Sequence, residues 1–251
     1  MKRHLFAANW KMHLGPKAAQ EYLATFLRRY RNRPERDVWF FPPAVSVEAA
    51  SQTVSGHAGI AVGVQDIHWE PKGALTGAVS AALAAEAGAK AALVGHSERR
   101  HVFGETDADT GRKVRAALDH RLTPVLCVGE KWEERERGET ERVVERQLAA
   151  GLANLPAGRE SGQLGRLVVA YEPVWAIGTG KTATPRDAAL VHRAIRAWLA
   201  ARGAVTACIL YGGSVNAANI ADLLAEPEIE GVLVGGASLD VESWLTICAA
   251  G

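Results

Sequence analysis

The fold this sequence predicts is an α/β chain whose eight parallel strands close into a single (β/α)8 barrel. Three observations predict it. Eight short apolar runs recur along the chain, and the segments between them are Ala-rich with helical spacing. The length of 251 residues also matches the ~250 typical of such a barrel in one domain.

The apolar runs are Leu5–Asn9, Val38–Phe41, Ile60–Val64, Ala91–Val94, Pro124–Val128, Leu167–Tyr171, Ala207–Tyr211 and Gly231–Val234. Each is nearly continuously apolar, as parallel strands are when both faces are covered. Helix ends are legible between them. Pro16 opens Lys17–Tyr30 at a first-turn position, where its missing N–H costs nothing. Asp107 precedes Thr110–His120, and Thr140 begins Glu141–Leu155. Thr184 followed by Pro185 reads as an N-cap, with the helix running to about Arg202 before Gly203. Asn216 and Asp240 are expected to start two short final helices. Right-handed crossovers winding in one sense close eight such strands into a barrel. A doubly wound open sheet is the structural competitor, and the strand count and length favour the barrel. No linker or low-complexity segment divides residues 1–251, so one domain is expected.

Composition narrows the function. With 29 Lys+Arg against 28 Asp+Glu the net charge is +1, and 48% of residues are hydrophobic. A disordered chain is excluded, and a nucleic-acid partner is not expected, because neutralising phosphates needs a clustered basic face. No apolar run approaches the ~18 residues of a membrane span. Behind the basic start Met1-Lys2-Arg3-His4, Asn9 and Lys11 break the stretch a signal peptide would need. Cys127, Cys208 and Cys248 are far apart and read as free thiols of a reducing compartment. The expected location is the cytoplasm.

Active sites of such barrels lie on the loops that follow the strands. Those loops carry Asn9-Trp10-Lys11, Gln65-Asp66, Gly95-His96-Ser97-Glu98, Gly129-Glu130, Tyr171-Glu172-Pro173, Gly212-Gly213-Ser214 and Gly235-Gly236. Gly178-Thr179-Gly180-Lys181-Thr182-Ala183 has the letters of a dinucleotide fingerprint, but it neither follows a strand directly nor opens a helix. Trp175 stands where a P-loop needs glycine, and neither His96-Ser97 nor Gly213-Ser214 closes a nucleophile elbow. None of the eight histidines falls in a zinc pattern, so a metal is not expected.

Paired glycines after the last two strands let backbone N–H groups approach an anion, with Asn216 opening a helix beside them. Glu172 precedes Pro173, and the segment from Pro173 to Thr184 has the length of a lid. Taken singly, each feature has a plainer reading. The glycines permit tight turns, Glu172 serves a salt bridge, His96 is a turn residue and Lys11 a solvated charge.

Together the segments resemble one family. Asn9-Trp10-Lys11-Met12, Gly95-His96-Ser97-Glu98-Arg99-Arg100, the run from Ala170 to Lys181, Tyr211-Gly212-Gly213-Ser214-Val215 and Gly235-Gly236-Ala237-Ser238-Leu239 are similar, in order, to the triosephosphate isomerases. The resemblance implies a glycolytic and gluconeogenic activity, the cofactor-free interconversion of dihydroxyacetone phosphate and glyceraldehyde 3-phosphate through an enediolate. It assigns Glu172 as the base and His96 as a neutral electrophile whose ionisation a helix N-terminus disfavours; this enzyme is a standard example of such pKa tuning. Lys11 and Asn9 would meet the oxyanion and phosphate, with Glu98 in support. Gly178, Ser214, Gly235 and Gly236 would grip the phosphate, and Tyr211 would latch the lid. The resemblance also implies a homodimer through the loop from Gln65 to Ser80, with Thr76-Gly77 at its tip. There the sequence departs from the family pattern. Ala78 stands where an acid is common, Leu75 where an aromatic is common and Asp66 where Asn is frequent. An acid at 78 would pair with an arginine of the partner, Arg99 being the candidate. A sugar-phosphate aldolase or synthase is the alternative enzyme, but it would leave the His96/Glu172 pair unexplained. A catalytically dead scaffold is expected to lack the base or the electrophile, and both are present.

Overall fold

The computed structural model describes residues 3–155, 165–176 and 183–250. Eight strands form a closed barrel in sequence order. They are β1 His4–Asn9, β2 Arg36–Phe41, β3 Ile60–Val64, β4 Ala91–Val94, β5 Thr123–Val128, β6 Val168–Tyr171, β7 Cys208–Tyr211 and β8 Gly231–Val234. Every neighbouring pair is parallel, and β1 closes on β8 through Leu5↔Gly231 to Ala8↔Val234.

Side chains alternate between two cores, as the period of two along a strand requires. Leu5, Ala7, Phe41, Ala91, Leu93, Val125, Cys127, Val168, Ala170, Leu210 and Leu233 fill the barrel interior. Phe6, Ala8, Phe40, Leu126, Val169 and Val232 face outward onto the helices. Large and small residues are matched inside. A Cβ on Gly63 would lie 2.3 Å from the Phe41 ring, so glycine there is what lets phenylalanine fill the interior. Carried past the strand ends, the inward phase places Asn9, Lys11, Glu172, Gly212 and Gly235 at the barrel mouth.

Ten α-helices are described: α1 Pro16–Arg29, α2 Val47–Val54, α3 Ala81–Glu86, α4 Ser97–His101, α5 Asp107–Asp119, α6 Trp132–Glu136, α7 Thr140–Leu152, α8 Pro185–Ala200, α9 Ile220–Ala225 and α10 Val241–Ala249. The ends follow from capping chemistry. In α1, Pro16 is at the first turn, Arg28 and Arg29 lie in the last turn, where positive charge suits the helix dipole, and Ala19, Tyr22, Leu23 and Phe26 form the buried stripe. The Thr184 hydroxyl accepts the Asp187 amide at 3.1 Å to cap α8. Asp240 caps α10 through the Ser243 amide at 2.8 Å.

Two starts differ from the sequence reading. α5 begins at Asp107 because Thr106 and Asp109 form a reciprocal capping box. The helix assigned to Asn216 begins at Ile220. The Asn216 side chain accepts the Ala218 and Asn219 amides at 2.8 and 3.2 Å and so caps a turn that precedes α9. The short helices α2, α3, α4 and α6 span too few residues for a helical period to declare itself. No described helix is long and apolar enough to cross a membrane.

Candidate active site

The strands' carboxyl ends surround a cavity of about 330 Å³ lined by Asn9, Lys11, His96, Glu172, Gly212 to Asn216 and Leu233 to Ala237. Of the expected site residues, Asn9, Lys11, His96, Glu172, Ser214, Gly235 and Gly236 line it, and Glu98 meets it through Lys11. Gly178 lies outside the described residues, as do residues 177–182 of the expected lid.

Glu172 leaves β6 on the inward phase and is buried, with 2% exposure. One carboxylate oxygen accepts the Ser97 amide at 2.8 Å, and the other stands 3.2 Å from His96 Nε2. His96 is the N-cap of α4, its Nδ1 accepting the Glu98 amide at 3.2 Å. A ring nitrogen that accepts carries no hydrogen, so the neutral ring bears its proton on Nε2 and donates it toward Glu172. The helix start thus fixes the tautomer and aims the N–H into the cavity. Gly95, just before it, has φ +70°, a left-handed conformation that favours glycine. Its amide is held by buried Glu105 at 3.0 Å and its carbonyl by Arg100 at 2.7 Å.

Lys11 also has a left-handed backbone, φ +50°. A lysine is held there by two side chains. Asn9 Oδ1 accepts the Lys11 amide at 3.0 Å, and Gln65 donates to the Lys11 carbonyl at 2.8 Å. The Lys11 ammonium meets Glu98 at 2.6 Å across the mouth. Asn9 and Glu98 therefore position this cation, and a half-exposed pair of this kind holds it weakly enough to be redirected.

The glycines leave room for neighbours. A Cβ on Gly212 would lie 2.8 Å from Glu172 Cγ, one on Gly213 2.2 Å from the Tyr211 hydroxyl, and one on Gly235 3.1 Å from Lys11 Cε. Gly236–Ser238 makes one 3₁₀ turn after β8, and Ser214 Oγ donates to the Ala176 carbonyl at 2.7 Å. Burial pushes the Tyr211 phenol up to about 12, with the Ala183 backbone acting in the opposite sense. Beneath the base, Cys127 is fully buried, and burial followed by the charge of Glu172 pushes its thiol well up. Ser97, Gln65 and Cys127 were not assigned to the site by sequence. A backbone amide leaves no sequence signal, while the inward phase of β5 does point at Cys127. Among the described residues, no group of three or more His, Cys, Asp or Glu side chains is placed to hold a metal.

A buried carboxylate beside an imidazole N–H, a mobile ammonium and a glycine-lined anion cradle define a class: a barrel enzyme that moves a proton next to the carbonyl of a small phosphorylated substrate. The comparisons with known proteins specify it further. The triosephosphate isomerase family model matches residues 4–251. The chain is 47% identical over 251 residues to the triosephosphate isomerase of Roseiflexus castenholzii, covering 98% of this chain and 97% of that one. It is 48% identical over 250 residues to that of Moorella thermoacetica and 43% over 248 to that of Aquifex aeolicus, with 98% of both chains covered in each case. The chain belongs to the triosephosphate isomerase family.

Proposed function

We propose that the barrel mouth interconverts dihydroxyacetone phosphate and D-glyceraldehyde 3-phosphate by proton transfer, with Glu172 as the base. The observation that carries this reading is the buried Glu172 carboxylate, 3.2 Å from an imidazole N–H and facing a cavity with Lys11 on its other side. Glu172 takes a proton from the carbon next to the carbonyl and returns it to the neighbouring carbon, while the hydroxyl proton passes to the former carbonyl oxygen, so that carbonyl and hydroxyl exchange places. His96 Nε2–H and the Lys11 ammonium meet the oxygen on which negative charge develops. One such donor typically contributes ~10²–10³ in rate. Backbone amides of Ser214, Gly235 and Gly236 hold the phosphate, with Gly178 assigned to the same task on sequence grounds. No step needs a cofactor, since the proton leaves and returns within one molecule.

The reading extends to assembly and place. The whole chain acts as one domain, in the cytoplasm, in the triose phosphate step of glycolysis and gluconeogenesis. It works as a homodimer through the loop from Gln65 to Ser80. Support comes from Leu75 in the loop and Phe103 beside its tip, large apolar side chains that are left exposed. A cavity of about 470 Å³ opens beside the loop, and Gly77 at its tip has φ +88°. The missing acid at 78 is offset within the protomer. Asp66 meets Arg99 at 3.1 Å, and Arg99 stacks 4.5 Å over Phe103.

The test is turnover of glyceraldehyde 3-phosphate, followed through coupled reduction of dihydroxyacetone phosphate, with Glu172→Gln alongside. Fast conversion that the variant abolishes is expected. A folded wild type without turnover overturns the reading.

A further inference from the structure

We propose that Arg135, on α6, is a positioning residue for the base: one guanidinium braces the Glu172 segment against the start of α8. The proposal rests on Glu172 being the base. The arrangement turns on Glu130, whose side chain is fully buried. Both of its carboxylate oxygens accept the Tyr171 hydroxyl at 3.1 Å, and one accepts the Trp175 indole N–H at 2.9 Å. Its carbonyl takes the Val174 amide at 3.1 Å. The residues on both sides of Glu172 thus hang from residue 130.

A carboxylate taken out of water needs a cation as well as hydrogen bonds. Arg135 stands 3.6 Å from Glu130, its guanidinium 4.7 Å over the Trp175 ring. Its other arm is 3.6 Å from Asp187, in the first turn of α8. The second oxygen of Asp187 accepts the Thr184 hydroxyl at 2.8 Å. Trp132, three residues before Arg135 and so on the same face of α6, packs edge-on against Trp175 with ring centroids 5.5 Å apart. A single helical turn therefore touches the chain both before and after residues 177–182. Arg135 reaches none of the reacting atoms. Its effect passes through Glu130 and Trp175 to the backbone that carries Glu172, where a shift of ~1 Å can cost ~10²-fold in rate.

The experiment compares wild type, Arg135→Met and Arg135→Lys for kcat, KM, thermal midpoint and the isotope effect with substrate deuterated at the transferred position. Arg135 is partly exposed, so both variants are expected to fold. Arg135→Met is expected to lower kcat about tenfold, change KM less than about twofold and raise the isotope effect, because proton transfer becomes slower than the steps around it. Arg135→Lys, which keeps the charge for Glu130 and Asp187, is expected to recover most of the rate. The proposal is overturned if Arg135→Met keeps kcat within about twofold of wild type. It is equally overturned if the lysine variant is as impaired as the methionine variant, or if kcat falls only in proportion to folded protein. An inactive wild type signals a different failure, that of the isomerase reading itself.

Discussion

His96 Nε2 and Glu172 Oε1 stand 3.2 Å apart, and the other Glu172 oxygen is held by the Ser97 amide at 2.8 Å. Both oxygens of the base are engaged by groups at the start of α4. Each oxygen of a carboxylate so held keeps a further lone pair with which to take a proton from carbon. The same two donors hold the carboxylate in place until substrate arrives. The base and its electrophile are thus fixed relative to each other before binding, so little reorganisation is left to the reaction.

Shortening the base tests its reach. Glu172→Asp withdraws the carboxylate by one methylene and is expected to lower kcat by about 10²-fold or more, within the ~10²–10⁴ assigned to a positioned general base. The thermal midpoint should stay within a few degrees of wild type. Near-normal turnover would remove Glu172 from the role.

Among the described residues Lys11 is paired with half-exposed Glu98, and it faces the glycine cradle. Lys11→Ala is expected to raise KM and lower kcat together, because the ammonium serves both phosphate and developing oxyanion. Steady-state kinetics decide the point: an unchanged KM excludes the phosphate contact.

Gly212 is required by the side chain it faces. In Gly212→Ala the new methyl would meet Glu172 Cγ at 2.8 Å, and only a shift of the carboxylate or of β7 relieves it. Overpacking of this kind costs ~1–3 kcal/mol. The expected result is a folded protein with kcat lowered at least tenfold. Activity equal to wild type would show that the base tolerates displacement there.

Alkaline stability follows from the buried thiols. Burial pushes Cys127 and Cys248 well above the ordinary thiol value, the charge of Glu172 adding to it at Cys127. A folded-state pKa above the unfolded one gives stability that is fully present below the unfolded value of ~8.5 and lost as pH rises toward the folded one. Urea unfolding is therefore expected to show a falling stability from about pH 8.5 upward. Cys127→Ala should make that fall shallower, and an unchanged slope would separate Cys127 from it. The native thiol should also resist alkylation at neutral pH.

In the proposed homodimer, association is expected to rest on apolar contact, since Arg99 is paired within its own protomer with Asp66 and Glu105. Leu75→Asp is expected to shift sedimentation toward monomer, while raised salt should leave wild-type association nearly unchanged. Strong salt dependence would mean that charge pairs between protomers carry the interface.

Sequence by itself determined the strands and nominated the residues of the site. All eight apolar runs lie within about two residues of the strands they became, because a parallel strand covered on both faces must be continuously apolar. Asn9, Lys11, His96 and Glu172 were legible because each stands at a strand's carboxyl end or within two residues of it, and their family pattern is intact. Tertiary structure decided what those residues do to one another. That Ser97 lends its amide to Glu172, that Gln65 holds Lys11 in a left-handed turn, and that Arg135 touches the chain on both sides of residues 177–182 are contacts between segments far apart in sequence. Local spacing carries no trace of such pairings. Periodicity reports which face of an element is buried, and only closure of the barrel brings the ends of different strands to one mouth.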